Sequence, residues 1–494
     1  MSDQNFYNFI DGQWMGAQSG KTFKNINPAN RDEVVGIFPL SDSVDVDQSV
    51  QSAACALEEW RKVPPPKKGE ILFRAGEILE RRKEELAQLM TREMGKVLRE
   101  TRGDVQEAID MAFYMAGEGR RLFGQTVPSE LSNKFCMTLR DPMGVCGLIT
   151  PWNFPMAIPS WKIFPALICG NTVILKPASD TPASATRLVE ILLEAGLPSS
   201  VIQLVHGRGI SVGNALVQHP AIDLVSFTGS SEVGREIGVL CAQNHKKVCL
   251  EMGGKNAQLV LEDANMDLAL EGVLWGAFGT SGQRCTATSR LILQKSIAGE
   301  FLEQLLIKVK KIKIGNGLDL DSQMGPLIND HQLEKVFQYI KIAEDEGAEL
   351  CAGGKPYLEG ACSKGYFFTP TIFTQVKPKM RIAQEEVFGP VLAVIEASGF
   401  EEAIEIANGT SYGLSVSLYT QNVHRAFHAI RDFKSGIVYI NAPTIGAEVQ
   451  LPFGGIRHSG NGHREAGTSA LDIFSQWKTV FVDYSGKFQR AQID

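Results

Sequence analysis

Five short apolar runs alternate with helical segments between residues 144 and 254: VCGLIT (145–150), TVILKP (172–177), VIQLVHG (201–207), LVSFTG (224–229) and KVCLEMGG (247–254). Runs this short and this uniformly apolar read as strands buried on both faces, the signature of a parallel sheet. Amphipathic stretches at 184–195, stopped by Gly196 and Pro198, and at 232–243 supply crossover helices. The pattern therefore predicts a doubly wound α/β sheet. Ligands of such sheets bind at the carboxyl ends of the strands. Polar or glycine residues stand at all five ends: Asn153, Lys176, Gly207 with Gly209, Gly229 and Glu251.

A second alternating region follows, with helices at 267–278, 298–312, 333–343, 401–408 and 423–433 and strands at 290–294, around 367–376, 414–420 and 436–441. At 494 residues two large α/β domains are the expectation. Upstream, Asp11-Gly12 marks a short hairpin, 22–27 a further strand, and the stretch after Pro64-Pro65-Pro66 is helical scaffold. Two alternating segments, 121–142 and 477–484, fit neither sheet and read as strands of a separate small sheet with a free pairing edge.

Composition excludes several functions. The net charge of -7 disfavours nucleic acid and anionic membranes as partners. No run is apolar enough to span a bilayer, and the polar start lacks a signal-peptide pattern. Nine scattered cysteines without a CxxC pair argue against a disulfide framework and fit a reducing, cytoplasmic setting. Eight dispersed histidines make no metal-ligand spacing, so no metal is expected.

Two stretches point to chemistry. Cys285 lies in TSGQRCTATSR, framed by Gly282, Thr286 and Thr288, where small neighbours leave a thiol approachable. The bland reading of such a cysteine is a small buried hydrophobe. In FTGSSEVG, Gly229 ends a strand and Ser230 opens a helix whose free N–H groups suit a phosphate, unless Ser230 is only a cap. The usual GxGxxG is absent; Gly207, Gly209 and Gly213 miss it by one residue.

Seven motifs, TPWNFP (150–155), LKPAS (175–179), FTGS (227–230), EMGGKNAQ (251–258), GQRCT (282–286), EEVFGP (385–390) and PFGG (452–455), resemble the aldehyde dehydrogenase superfamily in order and across essentially the whole chain. The resemblance implies a Rossmann-like cofactor domain (1–120 and 143–254, with 442–470 returning to it), a catalytic α/β domain (255–441) and an oligomerisation sheet (121–142 and 471–494) in a homodimer or homotetramer. It implies Cys285 as nucleophile, Asn153 as oxyanion donor and Glu251 as the base that activates water, with Lys176 beside them in the site. Implied around NAD or NADP are Thr150, Pro151, Trp152, Lys176 on the adenosine ribose, Ser179, Gly209, Phe227, Gly229, Ser230 at the pyrophosphate, Gly234, Glu386 on the nicotinamide ribose, and Phe388. Ser179 stands where NAD-selective members commonly carry a glutamate, which opens the way to NADP, with Asp180 alongside.

For the aldehyde, Phe154, Trp161 and Phe453 match the family's tunnel, with Thr286 and Glu448 nearby. Arg284 is the distinctive residue: a buried guanidinium wants a partner, either a substrate carboxylate or a structural salt bridge. GQRCT together with PTIGAE (443–448) is similar to the branch acting on aminoadipate semialdehyde and 2-oxoglutarate semialdehyde. His463 in HSGNGHREAG departs from most of the superfamily. The expectation is an NAD(P)-dependent oxidation of a carboxylate-bearing semialdehyde; a broad-specificity dehydrogenase, a cysteine esterase or thioesterase, and a non-catalytic protein on the same fold are the alternatives. Intact Cys285, Glu251 and Asn153 speak against the last.

Overall fold

A computed structural model describes residues 4–492; residues 1–3 and 493–494, the outer ends of the segments 1–120 and 471–494, lie outside the described residues. The five apolar runs form a parallel sheet in the order Lys247–Glu251, Leu224–Thr228, Val145–Ile149, Thr172–Lys176, Ile202–Leu204. The hairpin Asn8–Ile10 and Gln13–Met15 extends it antiparallel beyond Ile202–Leu204. From Val145–Ile149 the chain winds outward in one direction, then returns to lay Leu224–Thr228 on the other side. The loops after these two strands, 150–153 and 229–230, therefore flank the crevice where strand order reverses.

The second sheet runs Glu349–Ala352, Thr371–Thr374, Val391–Ala397, Thr288–Gln294, Asn256–Val260, Ser415–Tyr419, Ile437–Ile440, parallel apart from its first strand. Three of its strands fall outside the sequence-based assignment: the edge strand Glu349–Ala352 and the central Asn256–Val260 and Val391–Ala397. The central two are short apolar runs without a diagnostic period, which sequence alone does not separate from helix. The helix Ala157–Cys169 escapes for a related reason: all of its residues are buried, so no polar face marks its turn. The helix Leu98–Glu118 is also added; it buries one side against Pro65–Arg81 and Lys83–Met94.

The small sheet forms as expected from the sequence. Ser475–Asp483 pairs antiparallel with Lys134–Pro142 through nine consecutive residue pairs, and Thr126–Pro128 adds a third strand. Trp477, Phe481, Phe135 and Leu139 are exposed on it.

What positions the site is the four-residue crossing Met252–Lys255. It leaves the carboxyl end of the first sheet at Glu251 and enters the amino end of the second at Asn256. Cys285 sits just before Thr288–Gln294, at that same amino edge, and the Asn256 side-chain amide donates to the carbonyls of Cys285 (2.8 Å) and Ala287 (2.9 Å). A strand end from each domain thus meets in one gap. Replacing Asn256 with Ala leaves two buried carbonyls without this donor, so unfolding should begin at least ~1 kcal/mol earlier in a urea titration; an unchanged midpoint would show that the amide is dispensable.

Candidate active site

The turn bearing Cys285 is conformationally costly. Thr280, Ser281 and Gly282 are consecutive left-handed residues, at φ 52°, 55° and 69°. The first two are each held by a specific partner. The Glu100 carboxylate accepts from the Thr280 N–H (2.9 Å), and the Ser281 hydroxyl donates to the Gly325 carbonyl (2.7 Å). Gln283 bridges onward, its amide donating to the Pro326 carbonyl and its oxygen accepting from the Ile328 N–H. At Gly282 a Cβ would lie 2.1 Å from the Gly389 carbonyl oxygen, so the backbone itself requires glycine.

Cys285 and Glu251 open into one cavity of ≈1010 Å³. Burial, with the Glu386 and Glu251 carboxyls nearby, pushes the Cys285 thiol up to about 12, although the backbone N–H groups of Thr286 and Cys285 favour the thiolate. Glu251 is buried, and neither carboxyl oxygen has a hydrogen-bond partner among the described residues. Burial and the nearby Glu465 raise its carboxyl well above the usual range; Lys162, Arg464 and the Gly455 N–H, which forms no hydrogen bond to it, temper the rise. Glu465 in turn makes a buried salt bridge with Lys162, whose ammonium also donates to the Ser226 hydroxyl (2.8 Å). The Asn153 amide donates to the Gln283 carbonyl (3.1 Å), tying it to the turn that bears Cys285.

The cavity wall is aromatic: Phe154, Trp161, Trp275, Phe278 and Phe453 line it, with Trp161 and Phe453 edge-to-face at 5.0 Å. Thr286 also lines it. Arg284 does both things the sequence left open. It is paired with Glu100 (3.1 Å), yet it lines the same cavity as Cys285. Its Nε donates to the Thr280 hydroxyl (2.9 Å), and its guanidinium carbon lies 5.5 Å from the Phe154 ring centroid and 5.8 Å from that of Trp275. Glu448 is exposed, takes the Gln450 amide and lies outside the wall, which passes through Ile445, Gly446 and Ala447.

The remaining sequence-selected residues gather at the carboxyl edge of the first sheet. Lys176 is buried, has no hydrogen-bond partner among the described residues, and is brought down to about 8 by burial. Ser179 donates to the Gly207 carbonyl (3.0 Å), and the Asp180 carboxylate accepts from Asn329 (2.9 Å). Phe227 is buried, the Gly229 N–H donates to the Glu251 carbonyl, and Ser230 caps the helix Ser231–Gln243 that contains Gly234. Gly209 opens a short helical turn with free space above it. Thr150 is buried, and Pro151 and Trp152 are half-buried, with Trp152 edge-on to Phe388 at 5.3 Å. Phe388 has φ 60°, and the Gln332 amide fixes it by donating to its carbonyl (2.8 Å). Glu386 accepts from the Gly254 N–H (3.0 Å).

Sequence reasoning missed Glu100, Glu107, Trp275, Gln332 and the Lys162–Glu465 pair. Glu100, Asp104 and Glu107 follow helical i, i+4, i+7 spacing, which puts three acids on one face of Leu98–Glu118. That spacing was the available signal.

The fold and this gap between two strand ends define a two-domain α/β protein with a cysteine and a carboxyl sharing one aromatic cavity. The chain belongs to the aldehyde dehydrogenase family, whose model matches residues 14–480, and is therefore an oxidoreductase. It is 44% identical to the alpha-ketoglutaric semialdehyde dehydrogenase of Bacillus subtilis, over 98% of this chain and 99% of that protein. It is 43% identical to the alpha-ketoglutarate semialdehyde dehydrogenase of Haloferax volcanii, over 97% and 99% respectively. Betaine aldehyde dehydrogenase of Staphylococcus aureus, solved in complex with NAD+, superposes with a TM-score of 0.95 at 34% identity, covering 98% of this chain and 96% of that one.

Gly282→Ala should leave a folded protein whose aldehyde turnover falls by at least ~100-fold, because a displacement of about 1 Å at a nucleophile costs that much. Retained turnover, measured beside an unchanged circular dichroism spectrum, would refute the close-approach argument.

Proposed function

We propose that this chain oxidises a semialdehyde bearing a carboxylate, of the 2-oxoglutarate semialdehyde or aminoadipate semialdehyde type, to the corresponding acid, with NAD or NADP as oxidant. The observation that carries this reading is Arg284, a half-buried guanidinium on the wall of the Cys285 cavity. Of its five N–H donors, Nε serves Thr280 and one Nη2 proton serves Glu100; the rest have no partner among the described residues. A carboxylate is the planar acceptor that such donors match. The names of the relatives at 43–44% identity agree with it.

In the mechanism, Cys285 loses its proton and its sulfur attacks the aldehyde carbon. The resulting oxyanion is met by the Asn153 amide and the Cys285 N–H. A dinucleotide fits the first sheet's edge: the partnerless ammonium of Lys176 suits a ribose hydroxyl, the helix capped by Ser230 suits the pyrophosphate, and Glu386 suits the nicotinamide ribose. Thr150, Pro151, Trp152, Gly209, Phe227, Gly229, Gly234 and Phe388 shape that edge. When bound, the cofactor supplies the hydride acceptor that turns the thiohemiacetal into a thioester. Glu251 then takes the proton of the water that attacks the thioester carbonyl, which releases the acid and restores the thiol. Ser179 leaves no carboxylate to repel a 2′-phosphate, and the Asp180 carboxylate is turned to Asn329, which supports use of NADP as well.

Assembly into a dimer or tetramer through the small sheet is part of the proposal, supported by the apolar residues exposed on both of its faces. Nine cysteines without a disulfide support a cytoplasmic setting.

The test of substrate class is kcat/KM for 2-oxoglutarate semialdehyde against pentanal, with each cofactor. A guanidinium–carboxylate hydrogen bond is worth about 1.5–3 kcal/mol, so a preference of at least about tenfold, largely lost in Arg284→Met, is expected. Equal values would favour a broad-specificity dehydrogenase. Glu251→Gln should lower kcat about 10²- to 10⁴-fold while a stoichiometric burst of reduced cofactor survives. In the unmodified enzyme kcat should rise with pH, since the raised Glu251 carboxyl becomes a base only above the ordinary carboxylate range. Disappearance of the burst along with turnover would place Glu251 before the thioester. Phe481→Asp should reduce the molar mass measured by light scattering, and an unchanged mass would move the subunit contact elsewhere.

A further inference from the structure

The helix Leu98–Glu118 points three carboxyls toward the substrate cavity, and two of them are matched. Glu100 holds Arg284 and the Thr280 N–H. Asp104 is engaged at both oxygens: Lys96 forms a fully buried salt bridge with one (2.6 Å), and the Ala157 N–H, at the start of a buried helix, donates to the other (2.7 Å). Glu107, one turn further, has neither a cation nor a hydrogen-bond partner among the described residues. It is half-buried and lines the cavity. A lone carboxyl in this position is explained by no structural duty, and it faces the space where Cys285 and Arg284 also converge.

We propose that Glu107, in its acid form, donates a hydrogen bond from its carboxyl O–H to the distal carboxylate of the substrate, and is a second specificity-determining group on the wall of the cavity that Cys285 also lines. The inference rests on the carboxylate-bearing substrate class proposed above and deepens it. An O–H···O⁻ bond of this kind is short and strong in an enclosed site. Arg284 alone offers a guanidinium whose charge is already shared with Glu100; a neutral donor adds recognition without adding a charge that must be balanced.

The surroundings keep the proton in place. Burial comes first and Asp104 second, raising Glu107 to about 8, against smaller opposing effects of Lys96 and Arg284; Asp110 adds to the rise. From its own helix Arg99 and Glu100 also face the cavity, and from Ile437–Ile440 the Tyr439 hydroxyl lies near, itself pushed up to about 12 and therefore neutral. Glu271 stands on Met266–Phe278, and Lys308 and Lys311 also line the cavity. The sign follows. Below about pH 8 Glu107 is neutral and donates; above it the ionised form loses the donor and repels the substrate's carboxylate.

The experiment measures the ratio of kcat/KM for 2-oxoglutarate semialdehyde to that for pentanal between pH 7 and 9.5, in the unmodified enzyme, Glu107→Gln and Glu107→Ala. Cys285 and Glu251 act on both aldehydes, so their titrations cancel in the ratio, as does any loss of folded enzyme. The ratio should fall about tenfold across this range in the unmodified enzyme. It should stay high and flat in Glu107→Gln, whose amide donates without titrating, and low and flat in Glu107→Ala. A fall that persists in Glu107→Gln, or a preference in the unmodified enzyme that does not change with pH, overturns the role of Glu107 alone. A ratio near one already at pH 7 overturns the carboxylate-bearing substrate class, and this inference with it.

Discussion

The turn that bears Cys285 depends on a carboxylate that makes no hydrogen bond to the thiol. Glu100 belongs to the helix Leu98–Glu118, while Thr280 and Arg284 belong to the turn that presents Cys285, and one oxygen of Glu100 accepts from both. Thr280 and Ser281, left-handed without being glycine, cost on the order of 1–3 kcal/mol each, and such a turn persists only where its surroundings over-determine it. Here the surroundings are distributed: Glu100 from one domain, and the Gly325, Pro326 and Ile328 backbone from the other. Fixing the turn from both sides also fixes the gap between the sheets, because Asn153 donates to Gln283 inside that same turn.

Once the gap is closed around aromatic side chains, its low polarity sets the protonation of everything within it. Cys285, Glu251, Glu386 and Glu107 are all shifted in the same direction, toward the neutral form, and burial is the leading cause for each. Lys176, at the cofactor edge, is shifted toward neutrality by the same cause. A site at rest in which acids hold their protons and the thiol is not yet a nucleophile avoids stacking like charges in a small volume. It also makes the approach of a polar ligand the event that changes the balance. The salt-bridged pairs beside them, Lys96 with Asp104, Lys162 with Glu465 and Arg284 with Glu100, each touch the backbone or hydroxyl groups that build the walls.

Legibility from sequence divides along physical lines. The parallel sheet was readable because five uniformly apolar runs are separated by amphipathic helices, and the contrast between the two periods is strong. The Cys285 turn and the Glu251 strand end were readable because their neighbours are glycines and small hydroxyl residues in characteristic strings, so the resemblance could be carried residue by residue. The helix Ala157–Cys169, which contributes Trp161 and Lys162, was not, since burial on every face erases the amphipathic signal and Pro165 argues locally against a helix. Glu448 illustrates a different limit. It stands in a string shared with a substrate branch, yet the wall is built by the three residues before it, and which way a loop turns is decided by tertiary contacts that no spacing encodes. The partner of Arg284 was out of reach for the same reason, as Glu100 lies 184 positions away.

The motifs that reveal the chemistry, Arg284 among them, and the acids that face the cavity from Leu98–Glu118 therefore sit on different elements. Glu251, Cys285 and Asn153 lie on strand ends and tight turns whose backbones leave little room for substitution, as the 2.1 Å approach at Gly282 shows. Glu100, Asp104 and Glu107 lie on a regular helix, where a side chain can change without disturbing the backbone hydrogen bonds. Changing Glu107 would alter the hydrogen-bonding group facing the cavity while leaving the Cys285 turn, which leans on Glu100, in place. That separation explains how one arrangement of cysteine, glutamate and asparagine can serve aldehydes of different charge, and why the family motifs speak more clearly about the reaction than about the aldehyde.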